Sequence, residues 1–342
     1  MRIRGIGAVG DFWRVVREFN PEGIEREATA PLDLWLLGEP GSGRRTLAGS
    51  FLSADGRSAA ASPFRIVDID FQQGRPAGIE GADLVILVVR VDQDLADLGP
   101  RTAALLGRIR VPLMLVFTGA DNAPNTREMR NAAFRAFSFA SHLRMVFVDA
   151  RDAAQVEKKV VPVMLDAVPE LRTPLARRIP AARARVADQI IAETCRVNAQ
   201  FALAANLPAN LPFLGSVAGS VADLFVLTKN QVMMVLRLAA IYGRDITPTL
   251  DVAAEIAPVI GGGFVWRSAA RMVVGLLPTF LAAAPKTAIA YVGTYTAGQA
   301  ARYYYDQGRK PAKQLLASFS ADGARLYRRM LGLEGDSAGS AA

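Results

Sequence analysis

The chain has 342 residues, of which 51% are hydrophobic, and this length is sufficient for two domains that each bury a core. Its formal net charge of +8 lies entirely in residues 151–342, because the 18 arginines of residues 1–150 are balanced by 18 acidic residues. The single cysteine, Cys195, excludes an intramolecular disulfide framework and a zinc site made of cysteines, so we expect an intracellular protein.

The basic and apolar second half predicts an anionic partner. Nucleic acid is not expected, because the basic residues flank long uncharged runs and do not alternate with aromatic residues. Phospholipid headgroups fit the pattern better, so an anionic membrane surface is the predicted partner. A homo-oligomer or a protein partner bound through this half is the alternative.

Residues 1–30 predict an amphipathic lead-in. Apolar residues recur at helical spacing from Asp11 to Phe19, Asn20 and Pro21 end that helix, and a second short helix is predicted from Pro21 to Ala28. We interpret the lead-in as packed on the following domain, with membrane contact as the alternative.

A glycine-rich turn follows the first strand-like run. Residues 32–37 predict a strand, and residues 38–46 (GEPGSGRRT) predict a turn that opens a helix running to Leu52. Backbone N–H groups in such a turn point at a phosphate, and the helix N-terminus adds about half a positive charge. The predicted phosphate-binding residues are Gly38, Gly41, Ser42, Gly43, Arg44, Arg45 and Thr46.

This turn fills the phosphate-loop pattern G-x-x-x-x-G-K-[ST] only in part. Gly38 and Gly43 match, and Arg44 stands in the lysine position, where arginine still pairs with phosphate as a planar fork. Arg45 occupies the position whose hydroxyl should hold Mg²⁺, and Thr46 comes one residue too late. Because a guanidinium cannot replace an oxygen ligand to a hard cation, Mg²⁺ binding is predicted to be weakened or lost.

The rest of the first half alternates between strands and helices, which predicts a doubly wound parallel sheet of about five strands. The short link Ser53–Pro63 leaves little room for a strand, so no antiparallel edge is expected. The further strands are predicted at residues 64–70, 83–91, 111–117 and 144–148, and the helices between and after them at 99–110, 126–143 and 152–168.

Two further positions match nucleotide-binding patterns in part. Asp68 ends a strand, as a metal-positioning aspartate does, but Phe71 replaces the glycine of the D-x-x-G turn. Thr118 and Asp121 match the guanine-reading pattern [NT]-K-x-D, with Gly119 in place of the lysine. Asp121 is either a base reader or an ordinary turn aspartate. An NADP site is disfavoured, because the glycine spacing does not fit G-x-G-x-x-G.

Beyond residue 170 only helices are predicted, and apolar runs suggest membrane contact without a simple span. Val197–Ala222 carries no formal charge but contains Pro208 and Pro212, which break a helix. Met272–Pro285 and Thr287–Ala301 are each too short to cross alone, so they predict an interfacial hairpin or helices buried in a bundle. The basic flanks expected to meet headgroups are Arg267, Arg271, Arg302, Arg309, Lys310 and Lys313.

Three stretches together resemble bacterial Era-class GTPase-like proteins: the lead-in FWRVVREFNPEGIEREA, the loop GEPGSGRRT, and the helical segments NLPFLGSVAGSVADLFVLTKNQVMMVLRLAAIYGRDI and LPTFLAAAPKTAIAYVGTYTAGQAARYY. Those proteins join a G domain to a membrane-associated helical domain numbered 697. The resemblance implies binding of GTP or GDP and a location at the cytoplasmic face of the inner membrane or in the cytoplasm.

We therefore predict an N-terminal lead-in (1–30), a reduced P-loop GTPase-like α/β domain (31–170), an all-helical apolar domain (171–333) and a disordered tail (334–342). The substitutions in the motifs favour a pseudo-GTPase that acts as a membrane-associated regulator or scaffold, at most a weak hydrolase. The alternatives are a slow but genuine GTPase and a soluble, oligomerising helical scaffold.

Overall fold

The computed structural model describes residues 21–53, 62–71, 74, 76–107, 110–119, 126–140, 144–204, 220–247, 252 and 284–332. The chain divides into two compact units, one comprising Glu27–Val186 and the other Ala187–Ala342 together with the residues up to Arg26. The domain boundaries given above stay predictions, and most of the lead-in and the tail lie outside the described residues.

The first unit contains five parallel strands in the order β2-β1-β3-β4-β5, which confirms the predicted α/β sheet. Because β1, β3 and β4 are sandwiched between helices, their residues form nearly unbroken apolar runs. Most of the link predicted to lack a strand, residues 54–61, lies outside the description. The strands are β1 Leu34–Gly38, β2 Phe64–Asp68, β3 Leu84–Arg90, β4 Leu113–Thr118 and β5 Met145–Val148.

Helices cover both faces of this sheet. The chain runs from β1 to β2 in one direction and from β3 through β4 to β5 in the other, so right-handed connections place the intervening helices on opposite faces. The helices of this unit are α1 Glu22–Thr29 at the unit boundary, α2 Arg44–Leu52, α3 Leu95–Leu106, α4 Thr126–Ala136, α5 Ala153–Gln155, α6 Val161–Ala167 and α7 Arg172–Arg178. A π-helical turn, Val156–Val160, joins α5 to α6.

Successive side chains of the strands pack on alternate faces of the sheet. Leu37, Leu87 and Phe117 pack in one cluster with residues of α3 and α4, including Phe137 just beyond α4. On the other face α2 contacts the π-helical turn, and the Ser50 hydroxyl donates to the Ala150 carbonyl oxygen at 2.6 Å. Each strand therefore contributes to two apolar layers.

Two helix predictions needed correction. α3 begins at Leu95, four residues before the predicted start at Gly99, because the Asp94 carboxylate caps it by accepting from the amides of Ala96 and Asp97. The sequence pattern from Arg177 to Ala205 predicts one long helix, but the structure interrupts it at Ile179, whose extended backbone precedes Pro180. Pro180 then starts the next helix. Proline is accepted there because the N–H groups of the first helical turn have no acceptor within the helix, so none is lost.

The helical part comprises α8 Pro180–Ala204, α9 Ser220–Ile241, α10 Ala284–Gln307 and α11 Lys313–Met330. Helix α10 includes Pro285 and Lys286, so the described residues show no corner between them and Thr287. Residues 272–283 of the first predicted helix lie outside the described residues. Three of these helices meet at Gly298, where an added Cβ would lie 2.7 Å from Ile191 and 3.1 Å from the Met234 sulfur. In the described residues no helix is both long and apolar enough to cross a membrane.

Candidate functional site

The glycine-rich loop lies at the carboxyl end of β1, where the strand order reverses. β2 pairs with one side of β1 and β3 with the other, so the loops after β1 and β3 diverge and leave a crevice between them. Ligands of open α/β sheets bind in such crevices. The loop after β1 also leads directly into α2, which brings the helix N-terminus to the crevice.

Three glycines let the loop adopt its shape. Gly41 and Gly43 have positive φ angles of 83° and 92°, which most other residues adopt only with strain. A Cβ on Gly38 would lie 2.3 Å from the Val88 carbonyl oxygen, so only glycine allows this approach of β1 to β3. Gly43 provides no side-chain cap for α2, and the first N–H groups of that helix are therefore available to an anion.

Ser42 and Thr118 hold the loop in place. The buried Thr118 hydroxyl donates to the Ser42 carbonyl oxygen at 2.6 Å, and a Cβ on Gly43 would lie 3.3 Å from that hydroxyl oxygen. Ser42 is fully buried, and its own hydroxyl has no hydrogen-bond partner among the described residues. Thr118, considered from sequence as part of a base-reading motif, thus contacts the glycine-rich loop.

Arg44 is buried, and its guanidinium is already engaged within the protein. It donates to the Val67 carbonyl oxygen and to the Asp68 carboxylate, while only 7% of the side chain is exposed. The sequence analysis assigned Arg44 and Asp68 to one nucleotide site, which stays a prediction, and the structure shows that their side chains are in contact. The sequence did not reveal that they pair with each other, because the register of β1 against β2 places Asp68 beside Gly38.

The residues present do not fit a Mg²⁺ site of the phosphate-loop type. Arg45 occupies the hydroxyl position and is exposed, as is Thr46 one residue later. The Asp68 carboxylate is paired with the Arg44 guanidinium, so a hard cation at this carboxylate would be repelled by a positive charge already in place. Within the described ranges no cluster of three metal-ligating side chains occurs.

Glu39 is a feature that the motif comparison missed. Its carboxylate accepts from the Gln93 side-chain amide at 2.9 Å, and Gln93 in turn accepts from the Arg90 backbone amide at 3.2 Å. This link joins the two loops that border the crevice. Nearby, the hydrogen bond from Arg90 lowers the pKa of Asp92, which favours the ionised carboxylate.

The predicted base-reading residue Asp121 lies outside the described residues, as do residues 120–125 around it. Gly119, the last residue described before them, has a φ of 74°. Asp121 therefore stays a prediction.

No protein-family model matches the sequence, and no curated protein matches it. Among solved structures, the chain is similar to the translation elongation factor SelB from Methanococcus maripaludis, in its apo form. That match has 18% identity and a TM-score of 0.30, and it covers 40% of this chain and 33% of the SelB chain. A likeness of this strength carries no argument about activity.

Proposed function

We propose that this protein is a degenerate GTPase-like protein that binds guanine nucleotide without Mg²⁺ and acts as a regulator or scaffold. The observation that carries the proposal is the ion pair between the buried Arg44 and the exposed Asp68, beside an uncapped, glycine-rich loop. The loop amides support phosphate binding, and Arg44 cancels the charge of Asp68, where a phosphate loop of the usual kind relies on lysine and metal.

The loop amides are the proposed phosphate ligands. The N–H groups of Gly43, Arg44 and Arg45 belong to the start of α2, where the helix dipole favours an anion. The exposed Arg45 side chain adds a mobile cation at the same helix end. Arg44 neutralises Asp68, which would otherwise repel phosphate groups.

Hydrolysis is proposed to be close to background. A phosphoryl-transfer transition state requires cations that contact the transferred group, and each such contact is worth several kcal/mol. Here Arg45 replaces the metal-binding hydroxyl, and Arg44 is committed to Val67 and Asp68. The resemblance to Era-class proteins supports the choice of a guanine nucleotide, with Asp121 as the proposed base reader.

The experiment is a titration of fluorescent GTP, GDP and ATP onto the full chain, in Mg²⁺ and in EDTA. We expect guanine nucleotides to bind equally in both buffers and more tightly than ATP. Arg45→Ala should weaken binding, while Arg65→Ala, which removes the same charge from β2, should not. Absence of nucleotide binding would reject the proposal. The slow-GTPase alternative would be favoured if Mg²⁺ increased the GTP affinity by about tenfold or more and if the protein hydrolysed GTP over multiple turnovers that Asp121→Ala abolished.

We further propose that the helical part associates with an anionic membrane surface. Arg309 and Lys310, in the short link after α10, and Lys313, the first residue of α11, are all exposed, which supports contact with headgroups at about 1 kcal/mol per charge. Arg302, predicted from sequence to join them, forms an ion pair with Asp188 instead. Arg267 and Arg271 lie outside the described residues.

Sedimentation with vesicles tests this second proposal. Binding to phosphatidylserine-containing vesicles, and weaker binding to pure phosphatidylcholine, is expected at low salt. Arg309→Glu combined with Lys310→Glu and Lys313→Glu should reduce it, because the reversed charges repel the anionic surface. Full recovery of the native chain in the supernatant at low salt would instead favour the soluble oligomeric scaffold.

A further inference from the structure

A groove lies along the outer edge of the sheet, on the β5 side. It has a volume of about 580 Å³ and is lined by residues of β5, α4, the π-helical turn and α6. Among the described residues the sheet ends at β5, and no further strand pairs with it. The outward-facing main-chain groups of such an edge strand are available to pair with another segment.

The two walls of the groove come from opposite faces of the sheet. Arg130 and Phe134 belong to α4, whereas Lys159 and Val163 belong to the π-helical turn and α6. A segment entering between these walls would therefore lie beside β5 in the plane of the sheet. This is the geometry of strand addition, in which main-chain hydrogen bonds provide affinity and flanking pockets select side chains.

Apolar surface is exposed within this groove. Phe134 is 53% exposed, although it is a large aromatic residue, and its ring lies 6.4 Å from that of Phe147 in β5. Val163 provides apolar surface on the opposite wall. Apolar side chains of an added strand would cover both surfaces, because side chains alternate between the two faces of a strand.

The charged lining residues are all cations: Arg130, Arg144 and Lys159. The Arg130 guanidinium lies 5.3 Å from the centre of the Phe147 ring, Lys159 donates to the Gln155 amide oxygen at 2.7 Å, and Arg144 pairs with Asp166 at 3.0 Å. Two cations thus have no carboxylate partner in these contacts. Like charges disfavour pairing with the same edge of a second copy, whereas an acidic segment is attracted.

The structure assigns to this groove an extended acidic peptide segment of a partner protein, which adds to β5 as a further strand. Its apolar side chains contact Phe134 and Val163, and its carboxylates meet Arg130 and Lys159. The π-helical turn is part of the site because its Lys159 lines the groove. This inference is independent of nucleotide binding.

Peptide selection on the full chain tests the assignment. A random dodecapeptide library is selected against the native protein and against the double variant Arg130→Glu and Lys159→Glu. The native protein should enrich peptides in which two adjacent apolar residues are preceded or followed by two adjacent Asp or Glu residues, because successive side chains of a strand enter opposite walls. In fluorescence anisotropy, a labelled selected peptide should bind the double variant at least about tenfold more weakly, because two attractions become repulsions.

A matched control separates this effect from net charge. Arg127→Glu with Lys158→Glu changes the same charges on the same two segments, but neither residue lines the groove. This control should bind the peptide within about twofold of the native affinity, and both double variants should melt alike by circular dichroism. Two versions of the selected peptide are N-methylated, one at its odd-numbered and one at its even-numbered amides. One version should fail to bind and the other should bind, because strand addition uses the N–H groups on only one edge of the added strand.

Several results would overturn the assignment. These are equal enrichment on the native protein and the groove variant, equal peptide affinity for the groove and control variants, or unchanged binding of both N-methylated peptides. Displacement of the peptide by a tighter-binding single-stranded RNA dodecamer would point to nucleic acid. Dimerisation of the native chain that the groove variant abolishes would point to a second copy.

Discussion

The sheet unit and the helical part place their polar groups differently. In the sheet, the strands contribute apolar layers such as Leu36, Leu37 and Val88, and the polar groups that bear on function lie in the loops at the strand ends. In the helical part, Asn198 and Thr294 are fully buried, and the Asn198 amide donates to the Thr294 hydroxyl at 2.9 Å.

The helical network extends beyond this pair. Asn230 donates to the Asn198 side-chain oxygen at 2.8 Å, and Gln231 donates to the Thr294 hydroxyl at 3.2 Å, so three helices are joined by side-chain hydrogen bonds. A sheet aligns its strands through main-chain ladders, whereas helices satisfy their own main chains and need side chains to select one packing. Loop substitutions in the sheet unit should therefore change binding, and interior polar substitutions in the helical part should change stability.

The largest effect is expected at Gly38, which tests whether the loop shape is set by the sheet. Gly38→Ala forces a Cβ against the Val88 main chain and should lower the free energy of unfolding by about 3 kcal/mol, measured by urea denaturation. Gly49→Ala in α2 is the control, because no atom lies within 4 Å of its added Cβ. It should leave stability unchanged or raise it by about 1 kcal/mol. Equal losses would contradict the close approach.

Polar substitution in the helical interior should be next in size. Asn198→Ala leaves the groups it bonds without partners and should cost about 2 kcal/mol, and Thr294→Val should cost a similar amount. In a double-mutant cycle the two should couple by about 1 kcal/mol. Thr194→Ala, whose hydroxyl bonds only the carbonyl oxygen of Ile190 in its own helix, is the milder control. Additive losses would show that the network is not cooperative.

A loop substitution should alter binding while leaving stability nearly unchanged. Glu39→Gln removes a negative charge from the phosphate loop and retains a side chain that can bond Gln93. Nucleotide affinity should rise about fivefold in the titration described above, because a charge repulsion of about 1 kcal/mol is lost. The exposed Glu157→Gln is the control. An unchanged affinity would place the phosphate site away from Glu39.

The smallest effect concerns alkaline pH and the helical part. Burial raises the pKa of Tyr291 to about 12, so the folded state favours the neutral phenol. The contribution of the neutral Tyr291 phenol to the free energy of unfolding is fully present below pH 10, the ordinary pKa of tyrosine. It is lost as the pH rises through the pKa of Tyr291 in the folded state. The stability difference between the native chain and Tyr291→Phe should therefore change between pH 10 and 12 in thermal melts. Parallel curves would exclude this titration.

The local patterns were sufficient to place all five strands, because unbroken runs such as residues 84–89 are typical only of strands covered on both faces. They also identified Gly38, Gly43 and the start of α2, since a turn with these glycines depends on neighbouring residues alone. One error came from a local signal, because the early start of α3 depends on the cap by Asp94, the residue just before the helix. A second came from a distant partner, since Gly99 lies within that helix where an added Cβ would be 2.1 Å from the Ala136 carbonyl oxygen of α4.

By itself, the sequence determined that a strand, a glycine turn and a helix occur in succession, and that Arg44 and Arg45 replace a lysine and a hydroxyl. Only the tertiary structure decided what those arginines do. Strand pairing brings Asp68, 24 residues away, against Arg44, and leaves Arg45 in solvent. The same holds for Asn198 and Thr294, 96 residues apart. Periodicity reports which side of an element is buried, but the partner of a buried polar group is set by the packing of elements distant in the chain.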